Sequence, residues 1–167
     1  MLVDERAPSR GKLRAMLQGL TAVLAPADLG DPVGGTTSYA LCVYDEHGLG
    51  VGALVLDRAG AACGPLSIPC WKTLGVFGLR YTDRDGTVHG VRRVVLRSGP
   101  AGTGKALVKA HVHPTRSITG LPPGLPAALA GSLQTTVQLV SSDAACFTLT
   151  TDVVIDADPA RFSARRR

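Results

Sequence analysis

Apolar and polar residues alternate with a period of two along most patterned stretches of this chain. That is the repeat of a half-buried β-strand, not of a helix. In Lys12–Gln18, Leu13, Ala15 and Leu17 fall on one side and Arg14 and Gln18 on the other, with Met16 breaking the pattern. Residues 135–140 set Val137 and Leu139 against Thr136 and Gln138. Residues 106–113 set Ala106, Val108, Ala110 and Val112 against Leu107, Lys109, His111 and His113. Strand-like stretches also occupy residues 1–5, 36–44, 51–56 and 77–82, then Val91–Arg97, Cys146–Thr151 and residues 153–155. A helix over residues 12–24 is the rival reading there, and Gly11 and Gly19 weaken it.

Turn signals separate these stretches. Residues 6–11 carry Pro8, Ser9 and Gly11, and residues 25–35 are rich in Pro and Gly. Asp45-Glu46-His47-Gly48, Asp83-Arg84-Asp85-Gly86 and Ser141-Ser142-Asp143 read as tight turns. Residues 115–132, with Pro122, Pro123 and Pro126, leave room for a turn or two of helix at most. Parallel strands need helical crossovers, and no segment is long enough to supply them. The expected fold is therefore all-β, an antiparallel β-sandwich of about 8–10 short strands. We expect one domain over residues 1–160 and a basic tail over 161–167. Phe77, Tyr81, Val94, Leu96, Val108, Val112, Val137, Leu139, Phe147 and Leu149 should supply much of the core.

The composition narrows the function. At 167 residues with 45% hydrophobic content, the chain can bury a core and is not disordered by composition. No apolar run reaches membrane-spanning length. The formal charge of +5 lies largely in Arg161, Arg165, Arg166 and Arg167; the remainder has 14 basic against 13 acidic side chains. We read the tail as a solvated terminus and expect no nucleic-acid partner. Three Phe, three Tyr and one Trp are too few for a base-stacking platform.

The strongest single motif is Gly99-Pro100-Ala101-Gly102-Thr103-Gly104-Lys105-Ala106, which matches the phosphate-binding loop G-x-x-x-x-G-K-[ST] except at its last position. Ala106 lacks the hydroxyl that holds magnesium. Such a loop must open a helix, whose N-terminus cradles the phosphates. The segment after Lys105 alternates as a strand does, and Pro114 follows at once. The motif is expected to be a hairpin loop, and nucleotide binding through it is the least favoured function.

Other candidate chemistry is thin. His111 and His113 share a strand face and would need a third ligand, such as His89 or Asp83, to hold a metal. Asp83, Asp85 and Gly86 lack the remaining ligands of a calcium loop. No Ser lies in G-x-S-x-G. We expect no catalytic residue, metal or cofactor. Trp71, with Tyr81, is the candidate ligand-contact pair if exposed, as a sugar-stacking platform; otherwise Trp71 packs on a disulfide.

The four cysteines form no zinc spacing and read as two disulfides. Six residues separate Cys63 from Cys70 in a segment able to fold back, which makes that pair the more secure. Cys42–Cys146 then remains by elimination, tying two distant strands.

Leu41-Cys42-Val43-Tyr44-Asp45 followed by Cys63-x6-Cys70-Trp71-Lys72 resembles a β-rich module found in secreted bacterial proteins. So do Gly78-Leu79-Arg80-Tyr81-Thr82-Asp83, where the module has a G-[FY]-K-Y-K-D run, and Gly90–Arg97, Gly99–Val108, Thr136-Val137-Gln138-Leu139 and Cys146-Phe147. The similarity spans residues 4–162. It implies a noncatalytic structural or accessory domain, secreted or periplasmic, beside other domains of a longer parent chain. The strand that starts at Met1, with no basic-then-apolar leader, fits a piece of such a chain. A carbohydrate- or cell-surface-binding module is the alternative function.

Overall fold

A computed structural model describes residues 1–5, 12–18, 23–101, 103, 105–111, 124–143 and 146–166. Its strands are β1 Leu2–Asp4, β2 Lys12–Gln18, β3 Tyr39–Tyr44, β4 Gly50–Leu56, β5 Ala62–Cys63, β6 Ile68–Pro69, β7 Trp71–Thr73, β8 Gly78–Thr82, β9 Val91–Arg97, β10 Lys105–His111, β11 Thr135–Ser141, β12 Cys146–Thr151, β13 Val153–Asp158 and β14 Arg161–Arg165. One short helix, α1, covers Leu125–Leu129. The fold is all-β and every named pairing is antiparallel.

Eight strands form one sheet in the order β13-β14-β1-β2-β10-β9-β8-β7, and four form a second in the order β12-β11-β3-β4. The alternation read from the sequence decides which side chains meet between them. Leu13, Ala15 and Leu17 are buried from β2, Val94 and Leu96 from β9, and Leu41 and Val43 from β3. Val137 and Leu139 on β11 and Phe147 and Leu149 on β12 close the same cluster. Helix α1 starts with Pro126 in its first turn, where a missing N–H costs nothing. It buries Leu125 and Leu129 and packs on β1, β4, β13 and β14. The β3–β4 hairpin is fixed by Asp45, whose carboxylate accepts from the His47 and Leu49 amides at 2.9 and 2.8 Å.

Two expectations are corrected. The basic tail is not a frayed end: Arg161–Arg165 is β14, paired with β13 on one side and β1 on the other. Phe162 is fully buried and Ala164 nearly so, alternating with Arg161, Ser163 and Arg165, and this period of two holds the segment in the sheet. Phe77 is not in the core. It ends a 3-10 turn, Gly75–Phe77, so it precedes the pleat of β8 and is 63% exposed. Tyr81, Val94, Leu96, Val137, Leu139, Phe147 and Leu149 are buried as expected. Val112 and the side-chain environment of Val108 lie outside the described residues.

Candidate functional site

The chain between β4 and β7 folds into a small disulfide-closed hairpin. β5 pairs with β6, and Gly64 and Ser67, with φ of 73° and 48°, turn the tip between them. Cys63 and Cys70 are bonded, with Cα atoms 5.0 Å apart, well inside the range a disulfide needs. The Cys70 amide donates to Ala61 O at 2.9 Å, and the Thr82 amide to Cys70 O at 2.9 Å. These bonds anchor the hairpin base to β8.

The hairpin overhangs the outer side of β7 and β8 and leaves a cleft of about 400 Å³. Its apolar side is Leu66, Ile68, Pro69 and the disulfide; its polar side is Lys72, Arg80, Arg84 and Asp85. Lys72 and Arg80 are Cα partners across β7 and β8. Like charges directly opposite one another destabilise a strand pair, and neither forms an ion pair with a described residue. The arrangement can receive an anionic group beside an apolar one. Sequence reasoning missed this site. No local sequence signal marks it, because Lys72 and Arg80 become neighbours only through the β7–β8 register.

Trp71 and Tyr81 themselves point the other way. They are 2% and 0% exposed, so the sugar-stacking platform suggested for them is overturned. The Trp71 ring lies 5.1 Å from that of Tyr39 and 5.3 Å from that of Tyr81, in a buried aromatic row. The Tyr39 hydroxyl donates to Leu29 O. Burial, with the nearby Asp83 carboxylate, pushes the Tyr81 phenol well above its ordinary range.

Asp83 is buried and organises the turn that follows β8. Its carboxylate accepts from the Asp85 amide at 3.0 Å, the Thr87 amide at 2.7 Å and the Thr87 hydroxyl at 2.5 Å. The Tyr81 hydroxyl donates to it at 3.3 Å, and Arg58 donates to Thr87 Oγ1 at 2.9 Å. Burial works to raise its pKa, but the bonds from Thr87, Asp85 and Tyr81 outweigh it and hold the pKa below the usual carboxylate value. Asp83 thus acts as a structural acceptor within the turn. His89 lies on the same turn with φ of 48°; His113 and the His111 side chain lie outside the described residues.

Cys42 and Cys146 are free, which corrects the second expected disulfide. Cys42 on β3 has Gln138 of β11 as its Cα partner, and Cys146 on β12 has Val140. A whole strand separates the two thiols. Strands two apart in a sheet lie roughly 10 Å from each other, beyond the roughly 7 Å limit for a bridge. The neighbouring Cys42 side chain raises the Tyr44 pKa.

The loop that resembles a phosphate-binding site is the β9–β10 connection. Gly99 and Leu24 exchange amide bonds at 2.9 and 3.0 Å, and the Thr103 amide donates to Pro100 O at 2.9 Å. Lys105 then begins β10 as the Cα partner of Arg97, so a strand follows where a nucleotide site needs a helix. Residues 102 and 104 lie outside the described residues.

Comparison with protein-family models, with curated proteins and with solved structures returns no match. Among the described residues, no helix is long and apolar enough to cross a membrane.

Proposed function

We propose that this chain is a noncatalytic accessory module that works in an oxidising compartment outside the cytosol, beside other domains of a longer protein. Its ligand site is the cleft under the Cys63–Cys70 hairpin. The observation that carries this reading is the group of Lys72, Arg80 and Arg84 against the apolar wall of Leu66 and Ile68. A disulfide closing a two-strand hairpin supports the compartment, since such bonds persist where thiols are not kept reduced. It also fixes the cleft wall before any ligand arrives, which limits the ordering cost of binding. The ligand is a compact anion with an apolar portion: sulfonate, phosphate or carboxylate at the cations, hydrocarbon against the hairpin.

Fluorescence titration with anilinonaphthalene sulfonate tests this. The expected result is saturable one-site binding that Arg80→Gln weakens by about tenfold, the usual size of one lost charged hydrogen bond. Arg97→Gln, outside the cleft, leaves it unchanged. Binding that is indifferent to both Arg80→Gln and Lys72→Gln overturns the assignment.

A further inference from the structure

Charge is sorted on the eight-stranded sheet. The five neighbouring strands β2, β10, β9, β8 and β7 hold nine of the chain's 18 Lys and Arg residues and none of its 13 Asp and Glu. All thirteen acids are elsewhere, with the other nine cations. On β2, β7, β8 and β9 the buried positions are apolar or Gly, so their cations occupy the outer side. Arg93 and Arg97 are exposed on β9 while Val94 and Leu96 between them are buried. Arg14 on β2 is likewise exposed between buried Leu13 and Ala15. Lys109 of β10 is the Cα partner of both Arg93 and Arg14, and Lys105 of Arg97. Basic residues therefore oppose one another in register across three strands. Lys72, Arg80, Arg93, Arg97 and Lys105 form no ion pair with a described residue.

The same face carries an apolar rim. Leu66 and Ile68, 79% and 45% exposed, line one cleft with Lys72 and Arg80, so the hairpin tip stands on the basic side of the sheet. Met16 on β2 is 38% exposed beside Arg14. Trp71 and Tyr81, the aromatic residues of these five strands, both face inward, whereas Phe77, in the turn between β7 and β8, is 63% exposed.

We propose that this face docks on an anionic phospholipid surface, with Arg14, Arg93, Arg97 and Lys105 over the headgroups and the Leu66–Ile68 tip entering the boundary with the acyl chains. The exposed apolar groups select a lipid surface over a soluble polyanion. Exposed Leu and Ile next to cations gain nothing from a hydrophilic polymer but are stabilised at a headgroup–acyl boundary. The inference goes beyond the cleft reading, because Arg14, Arg93 and Arg97 line no part of the cleft.

Flotation with vesicles is the test, using phosphatidylcholine alone and phosphatidylcholine mixed with phosphatidylglycerol. The protein should float with the mixed vesicles and not with the neutral ones. Raising salt to about 1 M, where the Debye length falls to about 3 Å, should release most of it. Arg93→Glu with Arg97→Glu should weaken flotation by more than about tenfold, whereas Arg165→Glu with Arg166→Glu should change it by less than about threefold. Leu66→Ser should weaken low-salt flotation and remove the fraction that resists salt. If the Arg93/Arg97 pair variant loses its folded circular dichroism, Arg97→Gln alone replaces it, with a smaller loss in the same direction. No flotation, equal flotation with neutral vesicles, or equal loss from both pair variants overturns the proposal. So does retention on DNA or a polyuronate column without vesicle binding. None of these outcomes bears on sulfonate binding at Arg80.

Discussion

Trp71 on β7 is the Cα partner of Tyr81 on β8, and their rings sit 5.3 Å apart at an interplanar angle of 54°. Tyr39, from the facing sheet, meets Trp71 from the other side. The row joins the two layers directly beneath the strands that carry Lys72 and Arg80. Trp71→Ala should therefore destabilise the fold by about 3–5 kcal/mol, the usual cost of emptying a buried aromatic site. Denaturant unfolding measures it. A loss below about 1 kcal/mol would mean that the row is not packed as described.

The sulfur inventory is a second prediction. Without reductant, unfolded protein should show two reactive thiols, Cys42 and Cys146, while Cys63 and Cys70 stay bonded. In the folded state the exposed Cys146 should react before the half-buried Cys42. Peptide mapping after alkylation identifies each. Four thiols would contradict the hairpin disulfide, and none would restore the Cys42–Cys146 bridge.

Asp83 makes stability pH-dependent. Its folded pKa lies below its unfolded value, so the folded state favours the ionised form. Its contribution is complete above the unfolded carboxylate value of about 3.9 and is lost as pH falls through the lower folded value. Asp83→Asn should be less stable than the parent at neutral pH, and the difference should shrink as the solution is acidified below about pH 4. Unfolding midpoints of the two proteins across that range check the sign. A difference that grows toward acid would contradict it.

Phe162 tests the last strand. Phe162→Ala should cost about 3–5 kcal/mol if β14 lies between β1 and β13. The same denaturant series reads it, and an unchanged midpoint would return residues 161–167 to a solvated tail.

The element pattern was largely legible from the alternation itself. Val91–Arg97 and Cys146–Thr151 match the observed strands at both ends, and the strand after Lys105 follows from Ala106 to His111 together with Pro114. β14 carries the same signal in Phe162 and Ala164, but four arginines in seven residues drew attention to charge instead. Phe77 misled because large apolar residues favour the core on average, while its place in a turn before Gly78 is set by local geometry. The site was illegible for a different reason. Lys72 and Arg80 are eight positions apart in the chain and become neighbours through the β7–β8 register, which no local pattern reveals. The charge sorting was hidden likewise: β2 and β10 are distant in sequence, and the near balance of charge outside the tail averaged the basic sheet against acids on other strands and loops.

The cleft is tested most directly by amide NMR during titration with anilinonaphthalene sulfonate. The largest shift changes should fall on Cys63, Leu66, Ile68, Lys72, Arg80 and Arg84, with residues of β11 and β12 unmoved. Changes centred on β11 and β12, or spread evenly over the chain, would contradict a ligand site under the Cys63–Cys70 hairpin.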